Sequence, residues 1–347
     1  MYIDSEEKRV IKININNQIF LKAMTEAPAV GTACNPVLKV LDAHFGEGYE
    51  RYFASDAFCI YWRKDTRVED IEAVFIAHLD EVGGNVLSEQ AKDSGAFLTS
   101  VWGNLPTIYK GELQAFDYLA ETGEEAFPVT GTVELVEEEP RLILRGEGIR
   151  PFRTVFTFRE ETTFKGDVIE GKALDPRVTT AAVAKAVTLL NSSINSGTHS
   201  SKHSGKVAAV FVMAEERCMD VAKKAVTYLQ RHAPNLKLVV NADVPGIQNL
   251  TEGQLEMPAI RIFEGRNFID PMFGIRMSEK LEAKGVEFHL TASRSGSQTL
   301  LFTPLAPTIS VALPSEGVHL PRVKMSLLGY ERCIKLLTSI GEEALSD

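Results

Sequence analysis

Four near-continuous apolar runs of strand length, "EAVFIAHL", "KVAAVFVMA", "LKLVVNA" and "PTISVAL", constrain the fold most. Runs without polar alternation read as strands buried on both faces, and such strands need covering layers. Two further stretches, "PRVTTAAVAKAVTLLNSS" and "RCMDVAKKAVTYLQRHA", repeat apolar residues at intervals of three and four and predict the helices that cover them. The alternation implies an α/β sheet flanked by helices. Between about residues 85 and 165 the texture changes to short, β-branched, alternating segments such as "GAFLTSVWG" and "TVFTFREETTF", punctuated by Gly and Pro. We read 85–165 as a small all-β domain inserted into one discontinuous catalytic domain, 1–84 plus 166–347. The patch "NSSINSGTHSSKHSGK", residues 191–206, reads as a flexible loop.

The 347 residues carry 37 basic and 47 acidic side chains, a formal charge of −10, so no electrostatic footprint for nucleic acid or an anionic membrane exists. The first residues, "MYIDSEEKRVIKININ", lack the apolar core of a secretory signal. The longest apolar runs fall far short of the roughly 20 residues that cross a bilayer. A soluble, cytoplasmic protein is expected. Cys34, Cys59, Cys218 and Cys333 lie far apart with no C-x-x-C spacing, against a disulfide framework or a zinc knuckle.

In open α/β sheets the ligand crevice lies at the carboxyl ends of the strands, so the residues at the end of each run matter most. The first run ends in His78, with Asp80 two residues on; the second is followed by Glu215 and Glu216; the third by Asp243; the fourth runs on to His319. A fifth candidate is Asp175 in "EGKALDPR". Each residue has an ordinary alternative: Asp175 before a proline resembles a helix N-cap, the Glu pair a solvated helix start, and Asp243 a turn residue. His44, His199, His203, His232 and His289 receive no role. As a set, two His, two Asp and a Glu make a shell for two divalent ions, zinc first, with cobalt or manganese also suited. Two such ions can share a carboxylate and a water, which becomes the nucleophile. One carboxylate must then stay unliganded to take its proton, and the second Glu of the pair is available.

"AHLDEVGG", "GKALDPR", "MAEE", "NADV" and "PSEGVH", in this order, resemble the motifs of the glutamyl aminopeptidase family of cocatalytic metallopeptidases (metallopeptidase family forty-two), which includes the tetrahedral, dodecameric aminopeptidases. The early "TEAPAVGTACNPVLKVL" is similar to that family's opening segment, so the resemblance covers nearly the whole chain. It implies a zinc-peptidase-like catalytic domain with a mixed sheet, and an inserted barrel-like domain for dimerisation. It also implies that His78 and Asp243 bind one metal, Glu216 and His319 the other, and Asp175 bridges them. Asp80 would orient His78 and Glu215 would be the general base. Short peptides would be the substrates, and a homo-oligomer, as far as a tetrahedral dodecamer built from dimers, the assembly.

The chain departs from the family at three places. Arg217 and Cys218 follow the Glu pair in place of a small aliphatic residue and Gly; "SRSGSQT" replaces a Gly-Thr-Asp-Ala stretch, with Ser297 or Gln298 near the expected Asp; and Pro176 replaces an Asp. The first two bear on the substrate side, where Arg217, Arg266 and Arg294 are candidates for attracting an acidic side chain or are plain surface charges. Competing functions are a related carboxypeptidase or N-acyl-amino-acid deacylase, and an inactive peptide-binding assembly subunit.

Overall fold

The computed structural model describes residues 5–54, 56–92, 94–102, 110–136, 138–192, 206–245, 254–265, 267–293 and 296–346, with side chains from residue 16 onward. Most of the 191–206 stretch, with His199 and His203, and also Arg266 and Arg294, lies outside the described residues.

All four apolar runs are strands of one nine-stranded mixed sheet. Val207–Val212, Ala73–His78, Leu238–Asp243 and Thr308–Ala312 lie side by side and parallel, so their carboxyl ends emerge at one edge. Phe58–Arg63 and Ala259–Glu264 close this parallel centre on either side as antiparallel neighbours. Side chains alternate along the strand at its heart: Ala73, Phe75 and Ala77 enter one apolar core, Val74 and Ile76 the other. The first core is covered by Asn35–Phe45, Leu174–Ser192 and Leu327–Leu345, the second by Ala222–His232. Both faces are covered, which is why these runs are apolar throughout.

The sequence between the parallel strands Ala73–His78 and Val207–Val212 includes a closed six-stranded barrel: Gly83–Glu89, Ala96–Trp102, Lys110–Asp117, Phe127–Val136, Glu139–Arg145 and Thr154–Phe158. Leu113, Val129, Leu142, Leu144 and Phe156 are among the residues that fill it. The two glycines that open it permit close strand approach, since a Cβ on Gly83 would lie 2.3 Å from the Phe156 carbonyl oxygen and one on Gly84 2.2 Å from that of Ser100.

Two elements differ from expectation. The helix expected to begin at 217 begins at Ala222, because the Arg217 and Cys218 amides turn back to donate to the Ala214 carbonyl at 3.3 and 2.8 Å. Thr163–Lys165 leaves the barrel to pair with Val168–Gly171 and so joins Val323–Ser326 in a separate three-stranded sheet. Thr162 holds it there, bonded through its hydroxyl to Thr25 at 2.6 Å and through its amide to Glu26 Oε1 at 3.1 Å. No helix among the described residues is long and apolar enough to cross a membrane. All four cysteines are free, with only Cys218 exposed.

Candidate metal centre

The carboxyl edge of the parallel strands gathers all seven candidate residues. His78 ends its strand 2% exposed, and the Thr180 hydroxyl, from the helix behind, donates to its carbonyl at 2.7 Å. Asp243 ends the neighbouring strand, and Glu215 and Glu216 follow Val207–Val212. Asp175 stands at the head of Leu174–Ser192 in a non-helical conformation, φ −86° and ψ 117°, and its peptide to Pro176 is cis. Left-handed backbone marks three of these approaches: Ala173 at φ 53°, Ala214 at 58° and His319 at 63°. An L-residue costs about 1–2 kcal/mol in this region, so the surrounding packing must hold these turns.

Two triads result, with Asp175 common to both. His78 Nε2 lies 3.5 Å from Asp175 Oδ1 and 3.6 Å from Asp243 Oδ1. His319 Nε2 lies 3.5 Å from Asp175 Oδ2 and 3.3 Å from Glu216 Oε1. Asp175 thus turns one oxygen to each triad. A tetrahedral ion with bonds of about 2.0–2.2 Å holds its ligand atoms roughly 3.3–3.6 Å apart, and the observed spacings fall there. Asp175 Oδ1 is buried with no hydrogen-bond partner, the condition of a ligand atom that fits a cation. The triads and Glu215 line a cavity of about 120 Å³.

Asp80 is fully buried and organises the turn after the second strand. Its Oδ1 accepts from the Glu215 amide at 2.8 Å and its Oδ2 from the Glu216 amide at 3.2 Å. It faces His78 Nδ1 at 3.6 Å, beyond hydrogen-bond length.

The charges explain the protonation of the chain without cations. Burial pushes the Glu215 carboxyl up to about 8, with Asp243, Glu216 and Asp80 adding to the push and His78 opposing it. Burial likewise lifts Asp175 to about 6 against the pull of His78. For Asp243 burial is outweighed by His78 and Arg261, which hold it well below the usual carboxylate range. Burial disfavours charge on both imidazoles, yet Glu215, Asp175, Asp243 and Asp80 hold His78 well above its ordinary value, and Glu216 with Asp175 lifts His319 to about 9. Protons here occupy a place that suits cations.

Several supporting residues have no local signal in the sequence. Arg261, buried two strands away beyond Thr308–Ala312, puts Nη2 3.3 Å from Asp243 Oδ2 and Nε 2.9 Å from Glu264. Ser297 and Gln298, from the departing "SRSGSQT" stretch, are buried behind Asp243, where Ser297 bonds Glu264 at 2.8 Å and Gln298 bonds Asn241 at 3.1 Å. On the other side Glu81 takes Lys172 at 2.7 Å, Arg177 at 3.4 Å and the barrel's Thr157 hydroxyl at 2.8 Å, while Arg177 also donates to the Leu79 carbonyl. Lys172 and Arg177 lie within "GKALDPR", but their partner lies 91 and 96 residues away. Among the histidines without a role, His44 stacks on Phe20 and His232 packs at a tilt against Tyr228.

No protein-family model matches the chain, and no curated protein sequence matches it. Solved structures do. An aminopeptidase from the archaeon Desulfurococcus kamchatkensis is 18% identical with a TM-score of 0.75, over 95% of this chain and 96% of that one. The TET1 peptidase of Pyrococcus horikoshii, described as assembling into a tetrahedron or a large octahedral shell, is 15% identical with a TM-score of 0.74, over 93% and 98%. Yeast aminopeptidase 1 is 13% identical with a TM-score of 0.64, over 96% and 98%. Along nearly its whole length, the chain has the fold of the tetrahedral aminopeptidases that its motifs resemble.

Proposed function

We propose that this protein is a dinuclear metal-dependent aminopeptidase that removes N-terminal residues from short peptides in the cytosol. His78 and Asp243 hold one divalent ion, Glu216 and His319 the other, and Asp175 bridges them; zinc, cobalt and manganese all suit this oxygen and nitrogen set. The observation that carries the reading is Asp175, whose two oxygens face two separate histidine–carboxylate pairs at 3.3–3.6 Å ligand spacing.

When bound, such a pair of ions supplies a Lewis acid for the scissile carbonyl and acidifies a shared water. The chain's own residues do the rest. Glu215 lines the cavity but belongs to neither triad, so its carboxylate is free to accept the proton of the attacking water and return it to the leaving amine. Asp80 fixes where that carboxylate stands, through the amides of Glu215 and Glu216, and its charge 3.6 Å from Nδ1 favours a proton there, the tautomer in which His78 offers Nε2 to a metal. The six-stranded barrel, residues 83–158, serves as the dimerisation domain, and the tetrahedral assembly of the TET1 peptidase supports a dodecamer built from dimers.

The barrel also favours this reading over a carboxypeptidase or deacylase, which carry an α/β lid instead. Matched peptides with free and acylated amino termini decide the point. The aminopeptidase reading expects release of the first residue from the free-amino series alone, abolished by chelation and restored by metal. Cleavage confined to the acylated series would sink it.

A further inference from the structure

The turn that carries the candidate base also carries a cation with no acidic partner among the described residues. Arg217 is exposed, and its guanidinium carbon lies 4.8 Å over the ring of Trp102, the last residue of a barrel strand. Trp102 is itself held beside the site: it packs on Gly31, where a Cβ would lie 2.7 Å from the ring, and the Gly31 carbonyl accepts from the Ala214 amide at 3.1 Å. The neighbouring Thr32 hydroxyl bonds the barrel's Tyr118. Arg217 therefore stands on an aromatic platform at the seam of barrel and sheet, directly after Glu216. Stacking on indole uses the face of the guanidinium and leaves its N–H edge free for an anion.

The cavity between the triads and Glu215 measures about 120 Å³, and Arg217 is not in its wall. That space is the one the two ions and their shared water would occupy, so a bound peptide extends outward from it past its rim. An extended peptide advances about 3.3–3.6 Å per residue, which brings the end of a di- or tripeptide within reach of a long side chain at that rim.

We infer that Arg217, braced by Trp102, binds the C-terminal carboxylate of short peptides and makes the enzyme a selective di- and tripeptidase. This rests on the aminopeptidase reading. The assignment makes chain length a matter of charge recognition as well as of access. A charge-assisted, bidentate contact of this type supports about a tenfold preference.

The test compares di- and tripeptides of alanine as free acids and as C-terminal amides, with Glu-Ala amides as a third arm, on the metal-loaded full chain. The wild type should prefer the acids by about tenfold in kcat/KM, expressed mainly in KM. Arg217→Met should bring the acid-to-amide ratio close to one, Trp102→Leu should lower it part of the way, and Arg217→Lys should keep an intermediate ratio. Cleavage of the amides by each variant reports that it folds and turns over. A wild-type ratio near one, or a ratio that Arg217→Met leaves unchanged, overturns the assignment. So does a preference that appears only in the Glu-Ala amides and vanishes with Arg217, which would assign the arginine to an acidic side chain. Absence of hydrolysis in every series, wild type included, would instead bring down the aminopeptidase reading beneath it.

Discussion

The molecule holds two groups of buried carboxylates and treats them oppositely. Glu81, 1% exposed, is neutralised from within: Lys172 and Arg177 face it and Thr157 completes its hydrogen bonds. Asp175 and Glu216 face only two histidines for counter-charge, and Asp175 Oδ1, 3.5 Å from His78 Nε2, makes no hydrogen bond. A buried charge is costly unless paired. Where the chain supplies the cation the carboxylate is structural; where it does not, the proposed cation comes from solution. Asp243 stands between the cases, with one oxygen toward Arg261 and the other toward His78.

The largest expected effect separates chemistry from binding within the open group. Glu215→Gln should lower turnover about 10²- to 10⁴-fold while metal content and thermal unfolding stay near wild type. Turnover close to wild type, measured under saturating peptide, would remove Glu215 from its role.

Next, the self-neutralised group should fail in the opposite way. Glu81→Gln leaves two buried cations without their counter-charge and should cost about 3–5 kcal/mol in denaturant unfolding, by a similar amount with and without metal. A loss seen only in the metal-loaded form would contradict the division between the groups.

Chelation reads the same contrast from the other side. Ions bound at 100 times their dissociation constant stabilise the folded chain by about 2.7 kcal/mol per site, so stripping them should lower the unfolding midpoint and re-addition should restore it. The stripped protein should also become pH-sensitive. His319, raised from 6.5 to about 9, stabilises fully below its ordinary value, and that contribution disappears as the pH rises through about 9. Scanning calorimetry should therefore show the stripped midpoint falling by a few degrees between these limits, on the order expected for one such group, and the metal-loaded midpoint holding. A flat stripped profile would show that carboxylates do not surround His319 in solution.

The smallest effect is local. Thr157→Val removes the barrel's hydrogen bond to Glu81 and should cost about 1–2 kcal/mol without altering metal content.

The parallel strands were legible because burial on both faces leaves an unbroken apolar run, and the ends of those runs pointed to His78, Glu215, Glu216 and Asp243. Asp175 was ambiguous because a carboxylate before Pro176 looks like a helix cap; its non-helical ψ of 117° and its two-sided geometry emerge only in three dimensions. Arg261 and Lys172 were illegible as site supports, since the carboxylates they meet lie on other strands or loops and no local pattern records such a meeting. Thr163–Lys165 has the texture of the barrel but pairs elsewhere, because strand texture says nothing about partner choice.

The measurement closest to the central claim is metal content per folded chain, taken by elemental analysis on the wild type and on Asp175→Asn after equilibration with zinc and desalting. The shared-carboxylate centre predicts about two ions per wild-type chain and a sharp loss in the variant, from both triads together. Wild type without bound metal, or a variant that keeps both ions, would contradict it.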